Sequence, residues 1–288
     1  MKKFTYILTV IILFVQSTAL PIQNVEVEIS LSKSSYYVGE PIELLVRIKG
    51  NENIPFEMAY PMPGKKYISY HITNNIGDEV PYKGYISHPT SSGKYFKIDA
   101  GKEVVALFVL NSYYGEHYIG KYYPSYSIIK TGLYTINVKL IFDGYEHTSN
   151  TLSFSVINPP DEELNIYNEL VRIFNDGNLK DSITLNNTCS FLLNHINKNP
   201  ESVYNPVILR WLPGKYKYFL QDTLTYDILT EKLIEEYSSS ELSLLLIENK
   251  LNELENDTDR KNFLLRIKEV AKNSFMEIIL DDKLKKMN

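Results

Sequence analysis

The chain has 288 residues, including 30 Lys or Arg and 35 Asp or Glu, so its formal net charge is −5. Hydrophobic residues make up 44% of the chain, which is ordinary for a globular protein and excludes a disordered one. The mild acidity argues against nucleic-acid binding, which usually needs a basic face, and the single Cys excludes an intrachain disulfide.

The first residues are typical of a secretory signal peptide. Lys2 and Lys3 give a positive start, residues 4–15 form an apolar run, and small residues follow at 17–19. A spanning helix needs about 20 apolar residues, so a cleaved signal fits better than a retained anchor, which is the alternative. We expect a signal peptide over residues 1–19 and export to the periplasm, the cell surface or the extracellular space, with no membrane span after cleavage.

Residues 20–158 show the period of two that is typical of half-buried strands. Apolar and polar residues alternate near 25–31, 42–48, 133–141 and 152–156, and Gly, Pro and Asn cluster between these segments. Short strands separated by such turns predict an antiparallel β-sandwich as the first domain.

The period changes at Asn158-Pro159-Pro160, where two prolines end any strand ladder. From 161 to 286 the apolar residues recur at helical spacing, which predicts five or six helices in an all-α domain over residues 159–288, either a bundle or a short solenoid. We expect breaks near Gly177, Pro200, Pro213-Gly214 and 238–240, a capping box from Ser238 to Glu241, and one long apolar stripe over 263–278. Charge divides in the same way: residues 20–158 carry a net −1 and residues 159–288 a net −6.

The strand half resembles secreted bacterial immunoglobulin-like domains in the motifs Tyr36-x-x-Gly39-Glu40-Pro41-Ile42 and Gly132-x-Tyr134. The resemblance implies an immunoglobulin-like β-sandwich over residues 25–157, with the second motif opening the penultimate strand. Tyr134 is then expected to bury its ring and to bond its hydroxyl to the backbone, as in a tyrosine corner. The motifs fix turns and strands, and they imply no catalytic residue.

We find no assembled catalytic set in the sequence. The five His residues lack zinc-site spacing, and the G-x-x-x-x-G-K match at 115–121 lacks the Ser or Thr that a phosphate loop needs. Cys189 falls on an apolar helix face with Leu185 and Leu192, which favours a buried structural thiol. We therefore predict no catalytic residue, no metal and no cofactor.

The best candidate for ligand binding is the tyrosine-rich stretch over residues 111–130. Tyr combines a flat apolar face with a polar tip, and loops at the end of a rigid sandwich often bind ligands. The alternative is that these rings pack as an ordered loop or a further strand. The candidate residues are Tyr113, Tyr114, His117, Tyr118, Tyr122, Tyr123 and Tyr126.

Together these features predict a secreted or cell-surface protein with a non-catalytic binding or structural role. Its partner would be a protein or a glycan at the cell surface, and not nucleic acid. Two alternatives remain: carbohydrate binding through the loop 111–130, and an enzyme or protease inhibitor with a site at the interdomain cleft. The helical half is expected to dock a partner or to pack on the sandwich. The sequence does not fix the ligand or the oligomeric state.

Overall fold

Strands come first along the chain and helices second, as the change of period at 158 predicts. The computed structural model describes residues 25–50, 56–59, 61, 63, 67–83, 95–115, 117–119, 126–142, 144–175 and 182–287. The predicted signal peptide lies outside this range. Within these residues no helix is long and apolar enough to cross a membrane.

The described part of the first half contains twelve strands. They are β1 Glu26–Leu31, β2 Ser35–Tyr37, β3 Glu43–Lys49, β4 Phe56–Ala59, β5 Ile68–Asn74, β6 Tyr95–Ile98, β7 Glu103–Val109, β8 His117–Ile119, β9 Tyr126–Ile128, β10 Gly132–Phe142, β11 Tyr145–Thr148 and β12 Leu152–Ile157.

Two larger sheets organise these strands. The first has the antiparallel order β1-β3-β7. The second is built around β10, whose residue Tyr134 pairs with Asn74 of β5 and with Phe154 of β12, so these two strands flank it. β11 pairs with the last part of β10, at Lys139–Phe142, and β2 adds to β12 in parallel. The pairs β4–β6 and β8–β9 form small separate ladders.

The two larger sheets share one hydrophobic core. Leu44, Val46 and Ile48 of β3 are fully buried in it, which confirms the alternation predicted for this strand. In β10 the inward residues are the even-numbered ones from Tyr134 to Leu140, while Leu133 is exposed. The period of two thus separates a core face from an outer face in each strand.

The motif at 36–42 fixes the turn between β2 and β3. The buried Tyr36 ring packs edge-on against Phe154, and its hydroxyl accepts a bond from the Lys33 amide at 2.9 Å. Glu40 accepts a bond from the Tyr37 amide at 2.8 Å and pairs with the Lys33 ammonium. These contacts give the motif a structural role.

Tyr134 behaves as predicted, with a buried ring and a hydroxyl that donates to the Lys130 carbonyl at 2.8 Å. The strand that it opens is not the penultimate one, however. Along the chain, the short strand β11 follows β10 and precedes β12, and it forms a hairpin with β10. The motif therefore opens the third strand from the end of the strand half, and the prediction that it opens the penultimate strand was wrong.

The described part of the second half contains seven α-helices, more than the five or six predicted. They are α1 Asp161–Asn175, α2 Ser182–Lys198, α3 Asn205–Lys215, α4 Thr223–Glu236, α5 Leu244–Glu253, α6 Asp257–Val270 and α7 Phe275–Lys286, with a π-helix at Tyr216–Leu220 and a 3₁₀-helix at Glu241–Ser243.

Three local expectations for this half were wrong. Pro213 lies inside α3, which continues to Lys215 and runs directly into the π-helix without the break expected at 213–214. The stripe over 263–278 is two helices, separated where Asn273 takes a positive φ of 63°. The capping box does not form, since the side chain that accepts the Leu242 amide belongs to Ser240.

The helices cover the outer face of the first sheet. Leu45 of β3 and Leu107 of β7 point away from the core that the two sheets share and are buried among apolar side chains of α4 to α7. The sheet β1-β3-β7 is therefore apolar on both faces, and it forms the middle layer between the second sheet and the helices. This arrangement also brings the ends of several helices next to the turn at 36–42.

Candidate functional site

An open cleft of about 420 Å³ lies where the two halves meet. The strand half contributes the turn before β3 and the start of that strand. The helical half contributes the connection from α2 to α3 and the segment after α4. The lining residues are Ser32, Lys33, Glu40, Pro41, Glu43, Pro200, Glu201, Ser202, Val203, Pro206, Glu236, Tyr237, Ser239 and Ser240.

Tyr204 holds the two sides of the cleft together. Its ring is fully buried beside Tyr167, and its hydroxyl donates to the Val38 carbonyl at 2.8 Å. Gly39, next along the chain, has a φ of +82°, and a Cβ there would come within 3.2 Å of the Tyr167 ring. The close approach of the turn to these rings therefore requires glycine.

The cleft is acidic. Its lining carries the carboxylates of Glu40, Glu43, Glu201 and Glu236 and one ammonium, that of Lys33. Glu40 pairs with Lys33, and Glu236 pairs with Lys232 outside the lining at 2.6 Å. Lys33 and Lys232 are thus each paired with one lining carboxylate. The other two carboxylates of the lining are those of Glu43 and Glu201.

Glu43 connects the cleft to Glu241, a second acidic residue close to the lining. One Glu43 carboxylate oxygen, Oε1, accepts a bond from the backbone amide of Glu241 at 2.8 Å. Burial raises the pKa of Glu43 to about 6 and the pKa of Glu241 to about 7. The charge of Glu43 adds to the rise in the pKa of Glu241, and the charge of Glu40 adds a smaller rise to the pKa of Glu43. Burial also lowers the pKa of Arg210, whose charge partly offsets that of Glu241.

This geometry assigns Glu43 to the junction between the halves. Its carboxylate is held by the Glu241 amide and by Ser240, so its acceptor positions face protein donors. A carboxylate used in that way holds two elements together, and it is poorly placed to pass a proton to a substrate. In the part of the chain that the structure describes, no group of three or more His, Cys, Asp or Glu is arranged to hold a metal ion.

The structure divides the predicted tyrosine site. Tyr114 is buried in the core of the strand half, where its ring meets Tyr82 edge-on at 5.2 Å, and burial raises the pKa of its hydroxyl. Tyr113 is half-buried, stacks on Tyr82 and packs against that core. These two rings are engaged in packing, which matches the structural alternative for them.

The other candidate residues fall on a short hairpin or outside the described residues. His117 and Tyr118 lie in β8, and Tyr126 lies in β9, which pairs with it. Tyr122 and Tyr123 lie outside the described residues. A binding role for this stretch stays a prediction.

Cys189 is fully buried on α2, and burial raises the pKa of its thiol to about 11. The thiol therefore stays protonated at neutral pH, as a structural residue would.

The comparisons with known proteins do not place the chain in a family. No family model and no curated protein matches it. Among solved structures, the chain is similar to a β-glucosidase from Listeria innocua in complex with isofagomine, at 15% identity and a TM-score of 0.27 over 47% of this chain. It is also similar to the sporulation control protein Spo0M from Bacillus subtilis, at 16% identity and a TM-score of 0.26 over 52% of this chain. The match spans 16% of the β-glucosidase and 55% of Spo0M.

Sequence reasoning named an interdomain cleft only as an alternative and named no residue in it. Glu43 looks like the outward, polar position of an alternating strand, and Glu201 and Glu236 look like ordinary solvated acids. The turn motif at 36–42 is the one signal that points to this region, because its Glu40 and Pro41 line the cleft.

Proposed function

We propose that the chain is an exported, non-catalytic binding protein whose cleft receives a basic side chain of a partner protein at the cell surface. The observation that carries the proposal is the lining of the cleft: among the described residues, both halves supply carboxylates and only Lys33 supplies a positive charge. The strand half is an immunoglobulin-like β-sandwich in this proposal, and the helical half is a small bundle that completes the cleft.

The topology of the strand half supports the immunoglobulin-like assignment. Three antiparallel strands face a second sheet, and the short β2 joins β12 in parallel. The bond from the Tyr134 hydroxyl to the backbone at the start of β10 supports a tyrosine corner.

Electrostatics favours a cationic group in the cleft. A single pair of opposite charges 4 Å apart gains about 4 kcal/mol at a dielectric constant near 20, before any desolvation is counted. Glu201 lines the cleft as an exposed carboxylate and offers such a charge, and a guanidinium can bond two carboxylate oxygens at once. An open cleft suits a side chain that stays attached to a protein surface, whereas small molecules usually need deeper enclosure.

Export rests on the N-terminal pattern. The positive start, the twelve apolar residues at 4–15 and the small residues at 17–19 support a signal peptide. These residues lie outside the described range, so the support comes from the sequence.

The cleft is tested by titrating the protein with an arginine-rich peptide in a calorimeter. We expect the double variant Glu201→Gln and Glu236→Gln to weaken binding about tenfold at low salt, with the difference shrinking as salt rises. The matched control is Glu255→Gln with Glu269→Gln, which removes the same charge from two exposed positions outside the cleft. Equal weakening in both double variants would mean that only net charge matters and would refute the proposal.

The other hypotheses predict different outcomes. Carbohydrate binding predicts glycan-array signals that disappear with Tyr118→Ala and are unaffected by the cleft variants. An enzyme or an inhibitor predicts turnover of a substrate panel or inhibition of a protease panel that depends on Glu43. Either result, in a protein that does not bind the basic peptide, would replace the present proposal.

A further inference from the structure

Tyr237 lies next to two of the carboxylates that line the cleft. Glu236 precedes it in the chain, and the Tyr237 hydroxyl donates to the Pro200 carbonyl at 2.7 Å. That carbonyl belongs to the peptide bond between Pro200 and Glu201. Burial raises the pKa of the Tyr237 hydroxyl, and the charges of Glu236 and Glu201 add smaller rises. The ring and the two carboxylates therefore form one cluster in the lining of the cleft.

The hydroxyl of Tyr237 is already used by the protein. Besides donating its proton to Pro200, it accepts a bond from Nδ2 of the fully buried Asn205 at 2.9 Å. These two bonds fix the tip of the side chain, and part of the ring packs against the core of the helical half. A phenol has only one proton to donate, so the ring is the main surface that Tyr237 offers to the cleft.

Apolar side chains share the lining with this cluster. They are those of Pro41, Pro200, Val203 and Pro206. A cation that enters the cleft therefore gives up part of its hydration shell next to apolar groups while it gains carboxylate oxygens. A guanidinium is more weakly hydrated than an ammonium, and its planar head stacks on aromatic rings. The lining thus suits arginine better than lysine.

We infer that the cleft selects arginine over lysine, and that Tyr237 determines this selectivity. The Tyr237 ring stacks on the guanidinium of a partner protein, while Glu201 accepts two parallel N–H bonds from it. Glu236, which pairs with Lys232 at 2.6 Å, adds a second negative charge to the same cluster. This inference rests on the proposed function, because it specifies which basic side chain the cleft receives.

The test compares the dissociation constants of two peptides, measured by calorimetry at low salt. The peptides have the same glycine–serine sequence and differ only in carrying three arginines or three lysines, so their length and charge are equal. We expect the protein to bind the arginine peptide about tenfold more tightly, because stacking and two-pronged bonding favour a guanidinium. Net charge acts equally on both peptides and cancels in the ratio.

Variants at Tyr237 assign the selectivity to the ring. Tyr237→Leu should bring the ratio of the two dissociation constants close to one, because it removes the aromatic face. Tyr237→Phe keeps the ring and should keep most of the ratio. The matched control is Tyr226→Leu, which removes a half-buried tyrosine of α4 outside the lining and should leave the ratio unchanged. Far-ultraviolet circular dichroism checks that each variant is folded.

The outcomes separate this inference from the proposed function. Equal affinity for the two peptides, with both weakened by Glu201→Gln and Glu236→Gln, would leave the proposed function standing and overturn the selectivity. A ratio that Tyr237→Leu leaves unchanged would overturn the role of Tyr237. If neither peptide binds, the proposed function fails and this inference fails with it.

Discussion

Replacing Glu241 by Gln should stabilise the protein at alkaline pH and leave it almost unchanged at acidic pH. Glu241 stands at the junction of the two halves, where its backbone amide donates to Glu43. Its pKa is raised from 4.5 to about 7, first by burial and then by the charge of Glu43. Gln keeps the shape and the backbone amide, and it never carries the charge.

The magnitude follows from proton linkage. Because the pKa of Glu241 is higher in the folded protein than in the unfolded chain, the folded state binds more protons between pH 4.5 and 7. The contribution of this group is therefore favourable at acidic pH and is lost as pH rises through about 7. The full shift corresponds to about 3 kcal/mol, and we expect a measured effect of about 1–2 kcal/mol because the side chain is only half-buried and water screens part of the repulsion.

The assay is urea unfolding of the wild type and Glu241→Gln at pH 5 and pH 8. The variant should gain about 1–2 kcal/mol in the free energy of unfolding at pH 8 and differ by less than about 0.5 kcal/mol at pH 5. Glu255→Gln, at an exposed position away from the junction, serves as the control and should change neither value.

The reasoning would be refuted if Glu241→Gln destabilised the protein at pH 8, or if its effect were the same at both pH values. The first result would mean that the attraction between Arg210 and Glu241 outweighs the cost of burying the charge. The second would mean that Glu241 does not titrate in this pH range.

Three further predictions concern the turn, the junction and the tyrosine-rich stretch. Gly39→Ala should destabilise the protein by about 1–3 kcal/mol, more than Gly77→Ala, because both positions have positive φ but only the first has a ring within 3.2 Å of the added Cβ. Tyr204→Phe should cost about 1–2 kcal/mol, since it leaves the buried Val38 carbonyl without its donor. Tyr118→Ala should abolish any glycan-array signal if the stretch 111–130 binds sugars.

Each of these measurements has an outcome that counts against the argument. Equal losses for the two glycine variants would show that the contact with Tyr167 is easily relieved. An unchanged stability for Tyr204→Phe would show that the junction does not depend on that hydroxyl, and Tyr218→Phe, at an exposed hydroxyl, gives the baseline. A glycan signal that survives Tyr118→Ala would move sugar binding away from that residue.

Much of the strand half could be predicted because strand alternation is local. Every second residue of a strand faces the core, so Leu44, Val46 and Ile48 could be assigned to it from their spacing alone. Tyr134 could be predicted for a related reason, because its hydroxyl reaches a carbonyl only four residues away. The position of β11 was missed, since a four-residue strand carries almost no periodic signal.

The helical half was predicted less well because its boundaries depend on local exceptions. Pro213 normally ends a helix, yet α3 continues past it to Lys215 and runs directly into the π-helix. The apolar stripe over 263–278 keeps its helical spacing across a left-handed residue, Asn273, so the spacing gave no sign of the break. Intrinsic preference is a weak guide where packing decides the outcome.

The sequence by itself determined the order of a strand half and a helical half, the change at 158 and the inward face of β3. These features depend on residues a few positions apart. Only the tertiary structure decided that Leu45 and Leu107 are buried under helices, and that Glu43 meets the amide of Glu241 across 198 residues of chain. The acidic cleft belongs to this second kind, because its carboxylates come from segments that are brought together only when the helices pack on the sheet.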